Sequence, residues 1–292
     1  MSDLPIIGLM ARTQRTALRL LGAVTLGATL MGGTGCVDNE VSFFIRQVQA
    51  PLPMGLSQCI IPMDPAANRV FEGTLDVGLR DDYRMAPLLA SQVAARADMQ
   101  MNRPETSVIS VEGFVIEIHE GSPDGPIIGR PFTVYQSSTI LPPIAGQIAY
   151  GVTELQVIPP TIVNALRAQV CTFDTTNVTA QCPVPVITSN PRRLIVRILA
   201  FGHTLGTGPV ETPVFDFPVN VCCGCLVNFP PDADTPDMVY PGPDCSNGSA
   251  MQACNLGQDA PADCRLCAGT NRTFCQPRGF TTNPMMPNTC AR

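Results

Sequence analysis

The sequence predicts a mainly β fold: an antiparallel β-sandwich of about eight strands with one short helix, followed by an irregular, disulfide-stapled C-terminal tail. Three observations predict it. Apolar and polar residues alternate with a period of two in several separate segments, the pattern of a strand with one buried face. The 292 residues include 29 Pro and 24 Gly, placed so that turns recur between those segments. Nine of the 13 cysteines follow residue 221, where periodicity ceases.

Each element has its own signal. Phe43 to Gln47 is a candidate first strand. From Val70 the alternation is clear, with Phe71, Gly73, Leu75, Val77 and Leu79 on one face and Glu72, Thr74 and Asp76 on the other. Arg80-Asp81-Asp82 reads as a polar turn. Arg84 to Ala95 reads as an irregular strand, because Pro87 interrupts any helix there. Val108 to His119 is the strongest strand, with Phe114, Ile116 and Ile118 opposite Val115, Glu117 and His119. A turn follows at Gly121 to Gly125, then strands over Pro131 to Gln136 and within Gln147 to Ile158.

Pro159 and Pro160 open a short helix, Thr161 to Gln169, because proline suits the first helical turn. Ile162, Val163, Leu166 and Val170 share one face of it. Leu194 to Phe201 is apolar on both faces except at Arg197, as a central strand requires. Phe215, Phe217, Val219 and Val221 then alternate with Asp216, Pro218 and Asn220, and the two segments are expected to pair as a hairpin. Pro218 has no N–H, which places it at an edge or a bulge.

The first 35 residues read as a cleaved signal. Arg12, Arg15 and Arg19 precede an uncharged stretch, Leu20 to Leu30, and Gly32 to Gly35 are all small. The run Leu-Met-Gly-Gly-Thr-Gly-Cys from Leu30 to Cys36 resembles a bacterial lipobox, with Gly33 where the usual motif has Leu. The resemblance implies that Cys36 is acylated on sulfur and becomes the new N-terminus. Cysteine parity agrees with it: setting Cys36 aside leaves 12, whereas ordinary cleavage would leave an odd thiol in an oxidising compartment. Val37, and not Asp, follows the cysteine, which by the same resemblance points to the outer membrane. The expected organisation is a signal peptide (1–35), a lipidated N-terminus and tether (36–50), a β-sandwich (51–226) and a Cys-rich tail (227–292).

Composition excludes several functions. All 18 basic residues are Arg, so a Walker A lysine, a lysine Schiff base and a pyridoxal site are absent, and no cofactor is expected. The net charge is −6, and removing residues 1–35 takes it to −8, which disfavours nucleic acid as a partner. There is no Gly-x-Ser-x-Gly elbow, no His-Glu-x-x-His and no Gly-x-Gly-x-x-Gly, and the chain is read as not an enzyme.

The 12 remaining cysteines are Cys59, Cys171, Cys182, Cys222, Cys223, Cys225, Cys245, Cys254, Cys264, Cys267, Cys275 and Cys290. Short spacings at Cys222–Cys225 and Cys264–Cys267 suit zinc in a reducing compartment, but an exported chain favours disulfides. The first three cysteines and the last nine are both odd sets, so at least one bond joins sandwich to tail. Cys171 and Cys182 flank a polar loop and are the expected local bridge, which leaves Cys59 to reach the Cys222–Cys225 cluster or beyond. Asp232, Asp234, Asp237 and Asp244 are weak calcium candidates: the glycine of an EF-hand loop is missing from the run, and it reads first as a solvated acidic linker. His119 and Glu117 share a strand face and read as a solvent-facing pair, and His203 reads as a surface residue.

The whole pattern is similar to cysteine-rich exported lipoproteins of myxobacterial-type bacteria. The similarity rests on Cys36, on Phe-Pro-Val-Asn-Val-Cys-Cys-Gly-Cys from Phe217 to Cys225, and on the stapled tail. It implies a non-enzymatic structural or binding module of the bacterial envelope. Membrane lipid would hold acylated Cys36, and another envelope protein or a surface ligand would be the partner. The alternatives are a calcium-dependent binding or adhesion module and an extracytoplasmic hydrolase built on His119 or His203.

Overall fold

The computed structural model describes residues 42–54, 58–94, 105–143, 147–174, 186–206, 208–228 and 254–263. All lie in one compact unit, Val41–Arg292; a second unit, Met1–Glu40, lies outside the described residues. In chain order the strands are β1 (Phe43–Gln49), β2 (Leu52–Met54), β3 (Gln58–Ile60), β4 (Arg69–Val70), β5 (Gly73–Asp76), β6 (Tyr83–Met85), β7 (Pro87–Ser91), β8 (Ile109–Glu120), β9 (Phe132–Ile140), β10 (Ala149–Val152) and β11 (Leu155–Ile158). Helix α1 (Pro160–Val170) comes next. Then follow β12 (Cys171–Asp174), β13 (Val186–Ser189), β14 (Arg192–Thr204), β15 (Pro209–Glu211), β16 (Phe215–Cys222), β17 (Val227–Asn228) and β18 (Ala262–Asp263).

The fold is mainly β and sandwich-like, as expected. One sheet runs β5-β16-β14-β8-β9, with β15 also on β14; the other runs β10-β7-β1-β4. β14 is central: β8 pairs along its length, while β16 and then β15 occupy its other side. The inner faces follow from the period of two. Val196, Ile198 and Ala200 of β14 lie opposite Ile118, Ile116 and Phe114 of β8, and all six are buried. Phe43, Ile45 and Leu89 of the second sheet join them in one hydrophobic cluster, so the core lies between the two sheets. Helix α1 starts at Pro160 and buries Val163, Leu166 and Val170. Arg167, at its last turn, donates from Nε to the Val77 carbonyl at 2.6 Å and also pairs with Asp81, fixing the helix to the 77–81 turn.

Several expectations need correction. The Val70–Leu79 strand is two strands: β4 belongs to one sheet and β5 to the other, and the chain crosses between them at Phe71-Glu72. Phe71 is consequently 71% exposed, with the Arg69 guanidinium 4.3 Å from its ring centroid. The large sheet is not wholly antiparallel, because β5 joins β16 in parallel. Phe43–Gln49 is the first strand, as expected from Phe43 to Gln47, and is paired on both sides by β4 and β7, so the sheet begins inside the 36–50 segment. Pro218 fits its edge expectation locally: β5 pairs only with Val219 to Cys222, so Pro218 lies just before that side of β16 is taken.

Candidate functional site

The most concentrated chemistry among the described residues lies where the sandwich meets the C-terminal segment. β5 is the outermost strand of its sheet, and an open strand edge exposes unpaired N–H and C=O groups. Residues 254–263 cover this edge. Asp259 N–H donates to the Thr74 carbonyl at 2.9 Å, and Asp76 N–H donates to the Gly257 carbonyl at 2.9 Å. Gly257 has φ 82°, a backbone conformation that suits glycine. Gln258 is buried; its Oε1 accepts from Arg84 N–H at 3.0 Å and its Nε2 donates to the Arg84 carbonyl.

Two buried carboxylates hold this joint. Asp76 is fully buried, at 0% exposure, although its place on the polar face of the alternation predicted a solvated side chain. The Cys222–Leu226 loop folds over that face. Oδ1 of Asp76 accepts from Gly224 N–H at 2.7 Å and from Gly78 N–H at 3.0 Å, and Oδ2 accepts from Leu226 N–H at 3.0 Å. Burial raises the Asp76 pKa above the ordinary carboxylate value, and the backbone N–H groups of Leu226, Gly224, Gly78 and Leu79 pull it only part of the way back. Asp259 accepts from Thr74 N–H at 2.8 Å and from the Tyr83 hydroxyl at 2.9 Å. Burial raises its pKa too, against hydrogen bonds from Thr74, Gln258 and Tyr83. The Tyr83 hydroxyl is itself pushed well above its usual pKa, first by burial and then by the Asp259 charge.

The cysteines converge on the same region. Cys59 pairs with Cys254, Cys171 with Cys223, and Cys222 with Cys225. The first two join members of the early set to the late set, as parity required. The expected local bridge Cys171–Cys182 is replaced by Cys171–Cys223. Cys171 sits at the end of α1, and β12 pairs with β13 so that Ser189 lies opposite it. Ser189 Oγ in turn accepts from Cys223 N–H at 2.9 Å, which brings the end of β16 against the helix terminus. Cys222 and Cys223 are buried, whereas Cys225 is exposed. One carboxylate oxygen of Asp76 and the two sulfurs of Cys222 and Cys225 all lie within 4.8 Å of one another.

A second cluster lies on the outer face of the large sheet. Glu117, Arg197 and Asp216 form a row across β8, β14 and β16, and Arg197 Nε donates to Asp216 Oδ1 at 3.0 Å. His119 is not solvent-facing: it is 6% exposed, covered by the turn that follows β8. Its Nδ1 donates to the Gly125 carbonyl at 2.9 Å, and its Nε2 lies 3.4 Å from Glu117 Oε2. His203 is a surface residue, as expected, paired through Nδ1 with Glu112 Oε1 at 3.0 Å.

Cys36, Cys182, Cys245, Cys264, Cys267, Cys275 and Cys290 lie outside the described residues, as do Asp232, Asp234, Asp237 and Asp244. Sequence reasoning missed Asp76 and Asp259. Asp76 carried no signal beyond its place on the polar face of the Val70–Leu79 alternation; the Cys-Cys-Gly-Cys loop that covers it follows β16, 148 residues away at Gly224. Asp259 lies in a segment with no periodicity at all.

No family model and no curated protein matches this chain. Among solved structures, a late embryogenesis abundant (LEA) protein is similar at 10% identity and TM-score 0.27, over 75% of this chain and 94% of that one. A sporulation control protein from Bacillus subtilis is similar at 10% identity and TM-score 0.19, over 52% of this chain and 50% of that one.

Proposed function

We propose that the protein is an exported lipoprotein of the bacterial envelope, held to membrane lipid through acylated Cys36. In this reading it is a non-enzymatic structural or binding module, and its partner is another envelope protein or a surface ligand. The observation that carries the reading is the cross-linked joint. A disulfide spanning 195 residues ties Cys59 to Cys254, and a second ties Cys171 to Cys223. Bonds of this kind persist in oxidising compartments and are rare in the cytosol. The joint also gives the described part of the tail a structural role, since residues 254–263 close the open edge of β5. His119 has one ring nitrogen bound to a backbone carbonyl and the other turned to Glu117, an arrangement that orders the turn after β8.

Intact mass spectrometry of the native protein extracted from membranes, before and after reduction and alkylation, tests the proposal. The expected result is a chain beginning at an acylated Cys36, with its 12 other thiols alkylated only after reduction. A soluble, unacylated chain would remove the anchor, and thiols free before reduction would remove the compartment argument.

A further inference from the structure

The three described disulfides differ in a way that their spacing does not predict. Cys171–Cys223 is buried at both ends, at 5% exposure each. Cys59–Cys254 closes a loop of most of the chain and has no carboxylate gathered with it among the described residues. Cys222–Cys225 joins a buried residue to an exposed one, spans three residues, and lies beside Asp76.

We infer that Cys222–Cys225 is a thiol–disulfide exchange site for an external dithiol, with Asp76 as the group that gives and takes the proton of Cys222. Access sets the direction. Cys225 is the exposed residue of the pair and Cys222 the buried one, so an external thiolate attacks at Cys225. Attack forms a mixed disulfide between the external thiol and Cys225. The Cys222–Cys225 bond breaks, and its electron pair goes to Cys222 sulfur, which takes the proton from the Asp76 carboxylic acid. The second thiolate of the external dithiol then attacks its own sulfur in the mixed disulfide. It closes the dithiol into a disulfide and releases Cys225 as a thiolate, which solvent protonates. Two electrons pass from the dithiol to the cysteine pair. Closure runs the same steps backwards, with the Asp76 carboxylate taking the proton of Cys222.

Five features suit the cycle. A buried thiol in apolar surroundings resists ionisation, so Cys222 needs a base within reach. Burial, against the N–H bonds of the loop, raises the Asp76 carboxyl pKa above its usual range, which narrows the gap to a thiol's. The Leu75 carbonyl oxygen lies 3.7 Å from Cys222 sulfur and would accept the hydrogen of the reduced thiol. The loop need not unfold on opening, because Asp76 holds Gly224 and Leu226 and Gly224 takes φ 71°, independently of the sulfur–sulfur bond. With the partners three residues apart, re-closure is intramolecular and fast. The inference stands whether or not Cys36 is acylated.

The test is opening of the native full-length protein by dithiothreitol, quenched by alkylation at intervals and mapped by peptide mass. Cys222–Cys225 is expected to open at least roughly ten-fold faster than the other two bonds while the circular dichroism spectrum is retained. Its rate per reductant thiolate is expected to fall as pH rises through the Asp76 titration, which burial places above the ordinary carboxylate range, because ionised Asp76 can no longer supply the proton. Asp76→Asn should flatten that profile, whereas a merely structural Asp76 would leave its shape unchanged. Should the variant fail to fold, the wild-type pH profile decides alone. Opening no faster than Cys59–Cys254, or a flat wild-type profile, would overturn the inference.

Discussion

Removing the bond between Cys59 and Cys254 by paired Cys59→Ser and Cys254→Ser substitutions tests how the tail is secured. The bond spans 195 residues, but the intact Cys171–Cys223 bond short-circuits 52 of them, so the loop it closes in the unfolded chain is about 143 residues. In the loop-entropy treatment a closure of that length stabilises the fold by about 5 kcal/mol at 25 °C. The dependence is logarithmic, so halving the effective loop would lower the figure by only about 0.6 kcal/mol. Since ordinary domains are stable by about 5–15 kcal/mol, the variant should sit near the edge of folding. Equilibrium guanidinium unfolding under non-reducing conditions measures this. The midpoint should fall, and the slope of free energy against denaturant should rise, because an unfolded chain without the cross-link exposes more surface. A loss under about 1 kcal/mol with an unchanged slope would refute the reasoning, since the bond would then be closing no large loop.

Other expectations follow from individual contacts. A methyl group at Gly73 would meet Tyr83 Cζ at 2.6 Å and displace the ring whose hydroxyl holds Asp259, so Gly73→Ala should lower stability by about 1–3 kcal/mol in chemical denaturation. Asp259 has a raised folded pKa, so its protonated form is favoured by folding. That contribution is full below the unfolded value near 3.8 and is lost as pH rises through the folded value above it. The melting temperature of the wild type should therefore rise relative to Asp259→Asn as pH drops from neutral through the Asp259 titration; a constant difference across that range would contradict the assignment. Asp82 behaves oppositely. Burial opposes its charge, but hydrogen bonds from Arg84 and Gln156 and the charges of Arg80 and Arg84 win and lower its pKa. Its contribution is present above about 3.8 and is lost in stronger acid, so Asp82→Asn should lose stability at neutral pH and nothing in strong acid, as read by thermal melts.

The elements legible in the sequence are those whose environment is repeated along the chain. β8, β14 and β16 show their buried faces because each is flanked by regular neighbours, so Phe114, Ile116 and Ile118 report the same core at every second position. Helix α1 was legible from two prolines and one apolar stripe. The Val70–Leu79 segment misled because its alternation persists across a change of sheet: Val70 pairs with β1, and Gly73 pairs with β16. Period alone cannot show that a strand has changed partners. His119 misled for a related reason, because the turn after β8 folds back over a face that alternation marks as outer.

The joint was illegible because its partners are far apart in sequence and irregular in shape. Asp259 is 176 residues from Tyr83, and Asp76 is 148 from Gly224. Neither contact leaves a local pattern, yet both solve the same problem. Loops such as Cys222–Leu226 and residues 254–260 have no ladder to satisfy their N–H groups, and buried unsatisfied groups are costly. A carboxylate accepts several such bonds at once, which an apolar staple cannot do. Asp76 takes three backbone N–H groups from two loops, and Asp259 takes one from β5 along with the Tyr83 hydroxyl and the Gln258 amide. The same burial that makes these bonds specific also disfavours the charge, so each acid is held between two opposing effects. A tail secured in this way responds to pH and to thiols at its joint, while the sandwich core, whose inner faces on β8 and β14 are apolar, does not.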